Sequence, residues 1–283
     1  QIMILHNQLV KSNNAILFWN TMQHQVLQLS IDNFRPKMLV SIAWSLATMS
    51  ETLRKKDPNR NSHHQSSNGN TNPTLNVTPF FQALQTTFHK RRTEFSSKHL
   101  GNLAWSTMTC RVNDNSNSSI LHDFANEFIS RRNNDSSWND DDKRSGLRDD
   151  DEDGIDPMTL CQWASSYAKA GHKDEDLFRT IASVAIPMLM EQKFDMRYLA
   201  NLAYAFALAE LPSSSSSSSS PKMMNDGDSV GSSASASYLS ALFDTIAAAS
   251  MEKLSTFTTQ NFANITWAYA KVELPNPALF DGV

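Results

Sequence analysis

The side chains with the clearest chemical potential in this sequence are amides and cations that recur at fixed places in a repeated motif. The copies of the motif begin at Phe34, Phe95, Ile155, Phe194 and Phe257. If that first residue is counted as position 0, the amides and cations concentrate at positions 3, 7 and 14. Amides can hydrogen-bond the edges of nucleobases, and Lys or Arg can neutralise phosphates. The pattern is therefore typical of contact with a nucleic acid.

The three positions supply the candidate binding residues. Position 3 contributes Lys37, Lys98, Arg197 and Gln260, position 7 contributes Ser41, Asn102, Gln162, Asn201 and Asn264, and position 14 contributes Lys271. At about 100° per residue, positions 3, 7 and 14 fall together on one side of a helix. We call them the polar face of the motif. The apolar positions 5, 8, 9, 12 and 13 lie on the opposite side, and position 10 lies at the margin of the polar face.

Each of these positions also has an ordinary structural explanation. Polar residues opposite an apolar stripe occur on any surface helix, and the amides at position 7 could bridge neighbouring helices as readily as they could contact bases. For the position 3 cations we favour phosphate contact. Position 10 is aromatic in four copies, and there we favour packing between repeats over a stacking platform for unpaired bases. The aromatic residues are Trp44, Trp105, Tyr204 and Trp267.

Two further basic groups end predicted helices. They are Lys90–Arg92 and Arg131–Arg132. Cations at the C-terminus of a helix complement its dipole, and we favour that interpretation over phosphate contact.

The spacing of the motif predicts a repeat fold. The copies start 61, 60, 39 and 63 residues apart, and the shortest interval is the one that contains no low-complexity tract. A unit of about 39 residues is typical of a solenoid. The apolar spacing predicts a helix in each motif, and a second helix precedes each copy. These second helices are expected at Ile16–Leu29, Phe80–Arg92, Ile120–Arg132, Leu177–Met190 and Tyr238–Leu254, and a sixth would begin in residues 278–283.

The expected fold class is all-α, as an α-α superhelical solenoid of helical hairpins that runs as one array through residues 1–283. Because the chain begins at Gln1 and ends where a helix starts, we interpret it as part of a longer protein. Three inserts, at about 51–78, 133–154 and 212–236, are predicted to be disordered because they are too polar to bury a core. The last contains eight consecutive serines.

The second insert dominates the charge of the chain. Residues 135–156 hold ten Asp or Glu and three Lys or Arg, whereas the whole chain has a net charge of −4. The remainder is therefore mildly basic, at +3. We interpret the acidic insert as a solvated loop, and the alternative is an internal mimic of phosphate.

Two segments of the motif carry a family resemblance. Leu199–Ala207, with Phe194 ahead of it, and His99–Trp105 resemble the octotricopeptide-repeat family, which is related to repeats of FAST-kinase-like proteins and of RNA-editing substrate-binding complex subunits. The resemblance covers about five repeats. It implies a protein of the mitochondrion or chloroplast that binds single-stranded RNA and acts in transcript processing, stability or translation. It also implies other proteins of an RNA-processing complex as partners.

The composition points away from catalysis. None of the eight histidines is placed with Cys or carboxylates at metal-ligand spacing, and the two cysteines, Cys110 and Cys161, are expected to be free thiols. The sequence lacks the glycine-rich nucleotide-binding motifs and any apolar run long enough to cross a membrane. We therefore expect a protein that is not an enzyme, with no cofactor, no metal and no membrane contact. The alternative function is an α-solenoid scaffold for protein–protein interaction.

Overall fold

The computed structural model describes residues 14–56, 75–111, 115–134, 155–211 and 230–281. Within these ranges the chain is helical and contains no strand, so the all-α fold class is confirmed. The α-helices are α1 Asn14–Gln28, α2 Pro36–Lys56, α3 Thr78–Arg91, α4 Ser97–Cys110, α5 Asn115–Asn134, α6 Pro157–Lys169, α7 Glu175–Met190, α8 Met196–Leu208, α9 Val230–Met251, α10 Thr259–Val272 and α11 Pro277–Asp281. The motif forms α2, α4, α6, α8 and α10, as predicted, and the second helix of each repeat is also present.

The described helices divide into two compact units, with the boundary inside α5 after Glu127. In the first unit α2 packs against α4, and α1 contacts α3. In the second unit α6 packs against α8 and α8 against α10, while α7 packs against α9 and α9 contacts α11. Each unit therefore has a motif layer (α2 and α4, or α6, α8 and α10) and a companion layer (α1 and α3, or α7, α9 and α11).

The apolar side of the motif forms the core of each motif layer. In α2, Leu39, Ala43 and Leu46 have no exposed surface, and Leu199, Leu202 and their neighbours in α8 are buried in the same way. Burying a leucine stabilises the fold by about 1.5–3 kcal/mol. Position 9 is alanine in the first four motifs and Thr266 in the fifth, and a small side chain there allows a neighbouring helix to approach closely. The periodic apolar stripe thus determines which side of each helix packs inward.

Position 1 of the motif caps the helix that follows. The side chains of Ser96, Asp156, Asp195 and Thr258 accept hydrogen bonds from backbone N–H groups three residues later, at 3.2, 2.7, 2.9 and 3.3 Å. Such a cap satisfies a donor that the helix cannot, and it contributes about 1 kcal/mol. Pro36 and Pro157 occupy the first helical position, where proline is tolerated. The motif pattern predicts this place for the prolines, whereas the caps are a finding of the structure.

Two cations connect one repeat to the repeat before it. Arg91 Nη1 donates to the carbonyl oxygens of Asp32 at 2.6 Å and Phe34 at 2.9 Å. Lys253 Nζ donates to the carbonyl oxygens of Gln192 at 3.1 Å and of Phe194. Each cation lies four residues before a motif, and each pair of carbonyls lies at positions −2 and 0 of the preceding motif. We call this contact the inter-repeat latch.

The ends of the predicted inserts belong to helices, which corrects their boundaries. Residues 51–56 continue α2, Thr78 begins α3, residues 133–134 end α5, and residues 230–236 lie in α9. The end of α2 is held by contacts that composition does not show, because Arg54 donates to the carbonyl of Thr109 at 2.7 Å and Leu53 packs beside Met49. The central parts of the three inserts, and any role of the acidic one, lie outside the described residues.

Replacing Lys253 by Met tests the latch, since Met keeps the length of the side chain and removes the charge. Loss of hydrogen bonds from a charged donor to two carbonyls should lower the free energy of unfolding by about 1–3 kcal/mol. The measurement is urea unfolding followed by circular dichroism.

Lys193→Met is the matched control. Lys193 is exposed and pairs only with Glu191 at 2.5 Å among the described residues, and such surface pairs contribute about 0–1 kcal/mol. Equal unfolding midpoints for the two variants would show that Lys253 does not hold the repeats together.

Candidate nucleic-acid interface

The polar face of the first unit lies at the protein surface. Lys37, Ser41 and Lys98 are exposed, and Asn102 is half-buried. The Ser41 hydroxyl donates to the carbonyl of Lys37 at 2.9 Å, within its own helix. Position 14 differs, because Thr109 is buried. The four candidates of this unit therefore share one surface, formed by two adjacent motif helices.

The polar face of the second unit is also at the surface. Arg197, Gln260 and Lys271 are exposed, while Gln162, Asn201 and Asn264 are half-buried. Lys169, at position 14 of α6, is exposed as well and joins this set. The structure thus places all ten sequence candidates on motif layers, four in one unit and six in the other.

Neighbouring motif helices run side by side with equivalent positions adjacent. In the second unit, the Cys161 thiol at position 6 meets the carbonyl of Tyr198 at position 4, with a sulfur–oxygen distance of 3.3 Å. Farther along, Lys271 at position 14 meets Glu210, two residues after position 14 of the preceding motif. Because early positions meet early positions and late meet late, equivalent positions form rows across the second unit. Position 7 is an amide in all three helices of this row, whereas position 3 is Met158, Arg197 and Gln260.

The amides at position 7 do not bridge these helices in the described part of the chain. Asn264 Oδ1 accepts from Gln260 Nε2 at 2.8 Å, which is a contact within α10. The side-chain amides of Asn102 and Asn201 make no hydrogen bond to a described residue, and the buried Oε1 of Gln162 also lacks a partner there. The partly exposed amides of Asn102 and Asn201 therefore retain donors and acceptors for a ligand, whereas the Gln162 oxygen is buried.

The cations of the polar face differ in their partners. Lys271 Nζ lies 2.8 Å from Glu210 Oε1, and Glu210 Oε2 lies 3.1 Å from Lys173. Hydrogen bonds from Lys271 and Lys173 hold the pKa of Glu210 below its ordinary value. Arg197 lies 3.4 Å from Asp195, and its guanidinium also lies 5.2 Å from the centre of the Tyr198 ring. These are exposed contacts that a phosphate can replace at small cost.

Charge is segregated between the two kinds of helix. The five motif helices contain one acidic residue, Glu51, and it pairs with Lys55 at 3.0 Å. Each motif helix carries one cation at position 3 or 14 of the polar face, namely Lys37, Lys98, Lys169, Arg197 and Lys271. The acidic residues of the other long helices lie in α5, α7 and α9, at Asp123, Glu127, Glu175, Asp176 and Asp244. Cations occur in both kinds of helix, and Asp195 and Glu210 lie beside Arg197 and Lys271, so the segregation concerns the acidic residues within the helices. An excess of cations over carboxylates on the motif helices favours an anionic ligand.

The basic group at the end of α3 acts within the fold. Lys90 pairs with Asp32 at 2.8 Å, Arg91 forms the inter-repeat latch and pairs with Glu94 at 2.6 Å, and Arg92 lies 3.8 Å from Glu127. The sequence favours a structural role for this group through the helix dipole, and the structure adds carboxylates and loop carbonyls as its partners. The signal available in the sequence is the repetition of a cation four residues before Phe95 and Phe257.

The aromatic residues at position 10 pack in pairs between neighbouring motif helices, as predicted. The rings of Trp44 and Trp105 stack with centroids 4.1 Å apart and an interplanar angle of 28°. The rings of Tyr204 and Trp267 are 4.7 Å apart at 36°. Trp44 is 38% exposed and Trp267 is 40% exposed. The pairs therefore join repeats and also reach solvent.

The described residues offer little support for a metal site, a membrane span or a reactive thiol. No three His, Cys, Asp or Glu side chains come together there as metal ligands would, and no helix in those ranges is both long and apolar enough to traverse a bilayer. Cys110 and Cys161 are free and buried. Burial raises the pKa of the Cys110 thiol to about 12 and also raises the pKa of Cys161, so both thiols are protonated at neutral pH and are poor nucleophiles.

Comparison with known proteins does not assign the chain to a family. No protein-family model matches it, and no curated protein sequence matches it significantly. The octotricopeptide-repeat resemblance stays a prediction that depends on the motif residues.

The contact that lowers the pKa of Glu210 can be tested by replacing Lys271. In Lys271→Met the Glu210 carboxylate loses its strongest hydrogen-bond donor, so its pKa should rise towards the ordinary value for glutamate. The measurement is an NMR titration of the Glu210 side-chain carboxyl in both proteins. Because the folded-state pKa is the lower one, the pair stabilises the fold above the unfolded-state pKa, and this contribution is lost as the pH falls through the folded-state value. An unchanged Glu210 pKa in the variant would contradict the pairing.

Proposed function

We propose that the protein is an α-α superhelical solenoid that binds single-stranded RNA on the polar faces of its motif layers. We place it in the mitochondrion or chloroplast, where it would act in the processing, stability or translation of transcripts. The resemblance to octotricopeptide repeats supports this proposal from the sequence. The segregation of charge supports it from the structure.

The segregation of charge is the observation that carries the proposal. Surface helices of an ordinary repeat protein have mixed charges on their solvent side, since nothing selects against carboxylates there. In this chain each motif helix carries one polar-face cation, at position 3 or at position 14, and the five motif helices contain one acidic residue, Glu51, which pairs with Lys55. An anionic ligand that runs across successive motif helices accounts for both features.

The cations and the amides have different roles in this account. Lys37, Lys98, Arg197 and Lys271 hold phosphates, which gives affinity but no sequence preference. The amides at position 7 lie beside them, half-buried, and contact the edges of bases, with about one nucleotide for each repeat as in other helical-repeat RNA binders. In duplex RNA the Watson–Crick edges of the bases are paired and the major groove is deep and narrow, so in this account the amides contact the bases of a single strand.

A second candidate function has a specific observation in its favour. Met38 and Met158 are 49% and 38% exposed on motif helices, and exposed methionines suit adaptable contacts with peptides or partner helices. A protein scaffold that uses the same surface is therefore the alternative, and other proteins of an RNA-processing complex are its natural partners. Neither function requires a cofactor or the breaking of a covalent bond.

Removing cations from the polar face tests the proposal. The double variant Lys37→Gln/Lys271→Gln should bind single-stranded RNA more weakly than the unmodified chain does. Its slope of log K against log salt concentration should be smaller by about 0.7 for each phosphate that the variant no longer neutralises. Fluorescence anisotropy of a labelled RNA over a salt series measures both quantities.

Arg179→Gln/Lys193→Gln is the matched control, because it removes the same charge from exposed cations outside the motif helices. Arg179 lies in α7 and pairs with Glu175 at 2.5 Å, and Lys193 pairs with Glu191 at 2.5 Å. The control should bind RNA nearly as the unmodified chain does. If both double variants lose equal affinity, attraction by net charge explains binding and the polar face is not the site.

A further inference from the structure

The two aromatic pairs of the motif layers share an asymmetric construction. In each pair one ring is more exposed than its partner, which is half-buried. Trp44 is 38% exposed and stacks on the half-buried Trp105 at 4.1 Å, and Trp267 is 40% exposed and contacts the half-buried Tyr204 at 4.7 Å. The half-buried ring fixes the orientation of the exposed ring, so the exposed ring is presented to solvent by a rigid support.

The construction occurs independently in the two units. Trp44 and Trp105 belong to the first unit, and Tyr204 and Trp267 belong to the second. All four are at position 10 of their motifs. In both units the exposed tryptophan joins two repeats through its stacked partner and still leaves part of a large aromatic surface open to a ligand.

The groups around the exposed rings suit an anionic strand. Lys37 lies seven residues before Trp44 in the same helix, about 10 Å along the helix axis, with Ser41 between them. Lys271 lies four residues after Trp267, about 6 Å along the axis. Two carboxylates lie six residues from the second pair in the sequence, Glu210 and Glu273, and Lys271 and Lys173 both contact Glu210. Each exposed ring is therefore within one or two helical turns of a cation.

We infer that the Trp44–Trp105 and Tyr204–Trp267 pairs are stacking platforms, each of which holds one unpaired nucleobase against its exposed tryptophan ring. This inference rests on the proposed RNA-binding function and adds to it a contact that discriminates bases from backbone. Stacking on an aromatic side chain tolerates any base, because every base has a π face. The platforms thus contribute affinity for unpaired strands, while the amides at position 7 supply the contacts that can select among bases.

The test compares two probes that carry the same number of phosphates. One is a short single-stranded RNA of mixed sequence, and the other is an abasic strand of the same length. The unmodified chain should bind the RNA more tightly than the abasic strand. The variant Trp44→Leu/Trp267→Leu should lose about tenfold in RNA affinity for each ring removed and should bind the abasic strand as the unmodified chain does.

Phe18→Leu/Phe280→Leu is the matched control. Phe18 is 50% exposed in α1 and Phe280 is 38% exposed in α11, and each also forms an edge contact with another aromatic ring. The control therefore removes one exposed ring from each unit, but from the companion layers. It should leave the affinities for both probes unchanged. Trp44→Phe/Trp267→Phe keeps a ring at each platform and should retain most of the RNA affinity.

The outcomes separate the inference from the function on which it rests. If the unmodified chain prefers RNA and the leucine variant keeps that preference, the platforms are wrong and RNA binding stands. If the unmodified chain binds neither probe, the proposed function fails and the inference fails with it. If the leucine variant loses its helical circular dichroism, it has not folded and its affinities do not test the inference. The test is then the tryptophan fluorescence of the unmodified chain, which a base stacked on Trp44 or Trp267 should quench when RNA is added. No quenching at saturating RNA would overturn the inference.

Discussion

The structure depends on the burial of one apolar stripe that recurs in every motif helix. A single amphipathic helix or hairpin cannot bury such a stripe, so within each unit the motif helices pack against one another. Within each unit the stripe residues, such as Leu39 in α2 and Leu199 in α8, are buried as a result.

Packing of equivalent helices side by side also determines which surface stays exposed. The side of each helix opposite the stripe lies beside the same side of its neighbour in the unit. The polar face and the aromatic pairs are consequences of this packing, and so is the inter-repeat latch. Arg91 and Lys253 reach loop carbonyls of the previous repeat only because that repeat has the same geometry.

The repetition of the motif also determines the charge of the polar face. A carboxylate at a polar-face position would face the equivalent position of the next helix and would weaken attraction for an anion along the whole row. The motif helices exclude carboxylates except for Glu51 near the end of α2, whereas α5, α7 and α9 carry several. The pairing of Lys271 with Glu210 shows how a nearby carboxylate can restrain a polar-face cation without removing it. Exposed ion pairs of this kind are weak, so a phosphate can compete for the cation.

Much of the fold could be predicted from the sequence because its main signal is periodic. The helical spacing of apolar residues locates all five motif helices and the second helix of every repeat, and it places the candidate residues on the outside of the motif layers.

Other features of the fold depend on tertiary geometry and could not be predicted from the spacing of residues. The continuation of α2 through residues 51–56 is supported by Arg54 and Leu53, whose partners lie elsewhere in the fold. The exposure of Trp44 and Trp267 depends on how far neighbouring helices cover each ring, which no spacing specifies. The caps at position 1 are within reach of sequence reasoning, since Ser, Asp or Thr before a helical pattern predicts a helix start.

The most direct test of the central claim is the binding of this chain to a random pool of single-stranded RNA, compared with duplex DNA at the same concentration over a range of salt. Polar-face cations with half-buried amides and exposed rings should retain RNA in preference to duplex, and the retention should fall as salt rises because bound counterions are released. The retained pool would also reveal any preferred sequence. A folded, helical chain that retains no RNA at low salt would contradict the account and would favour a protein scaffold. Equal retention of RNA and duplex would show that the surface attracts phosphates without recognising an unpaired strand.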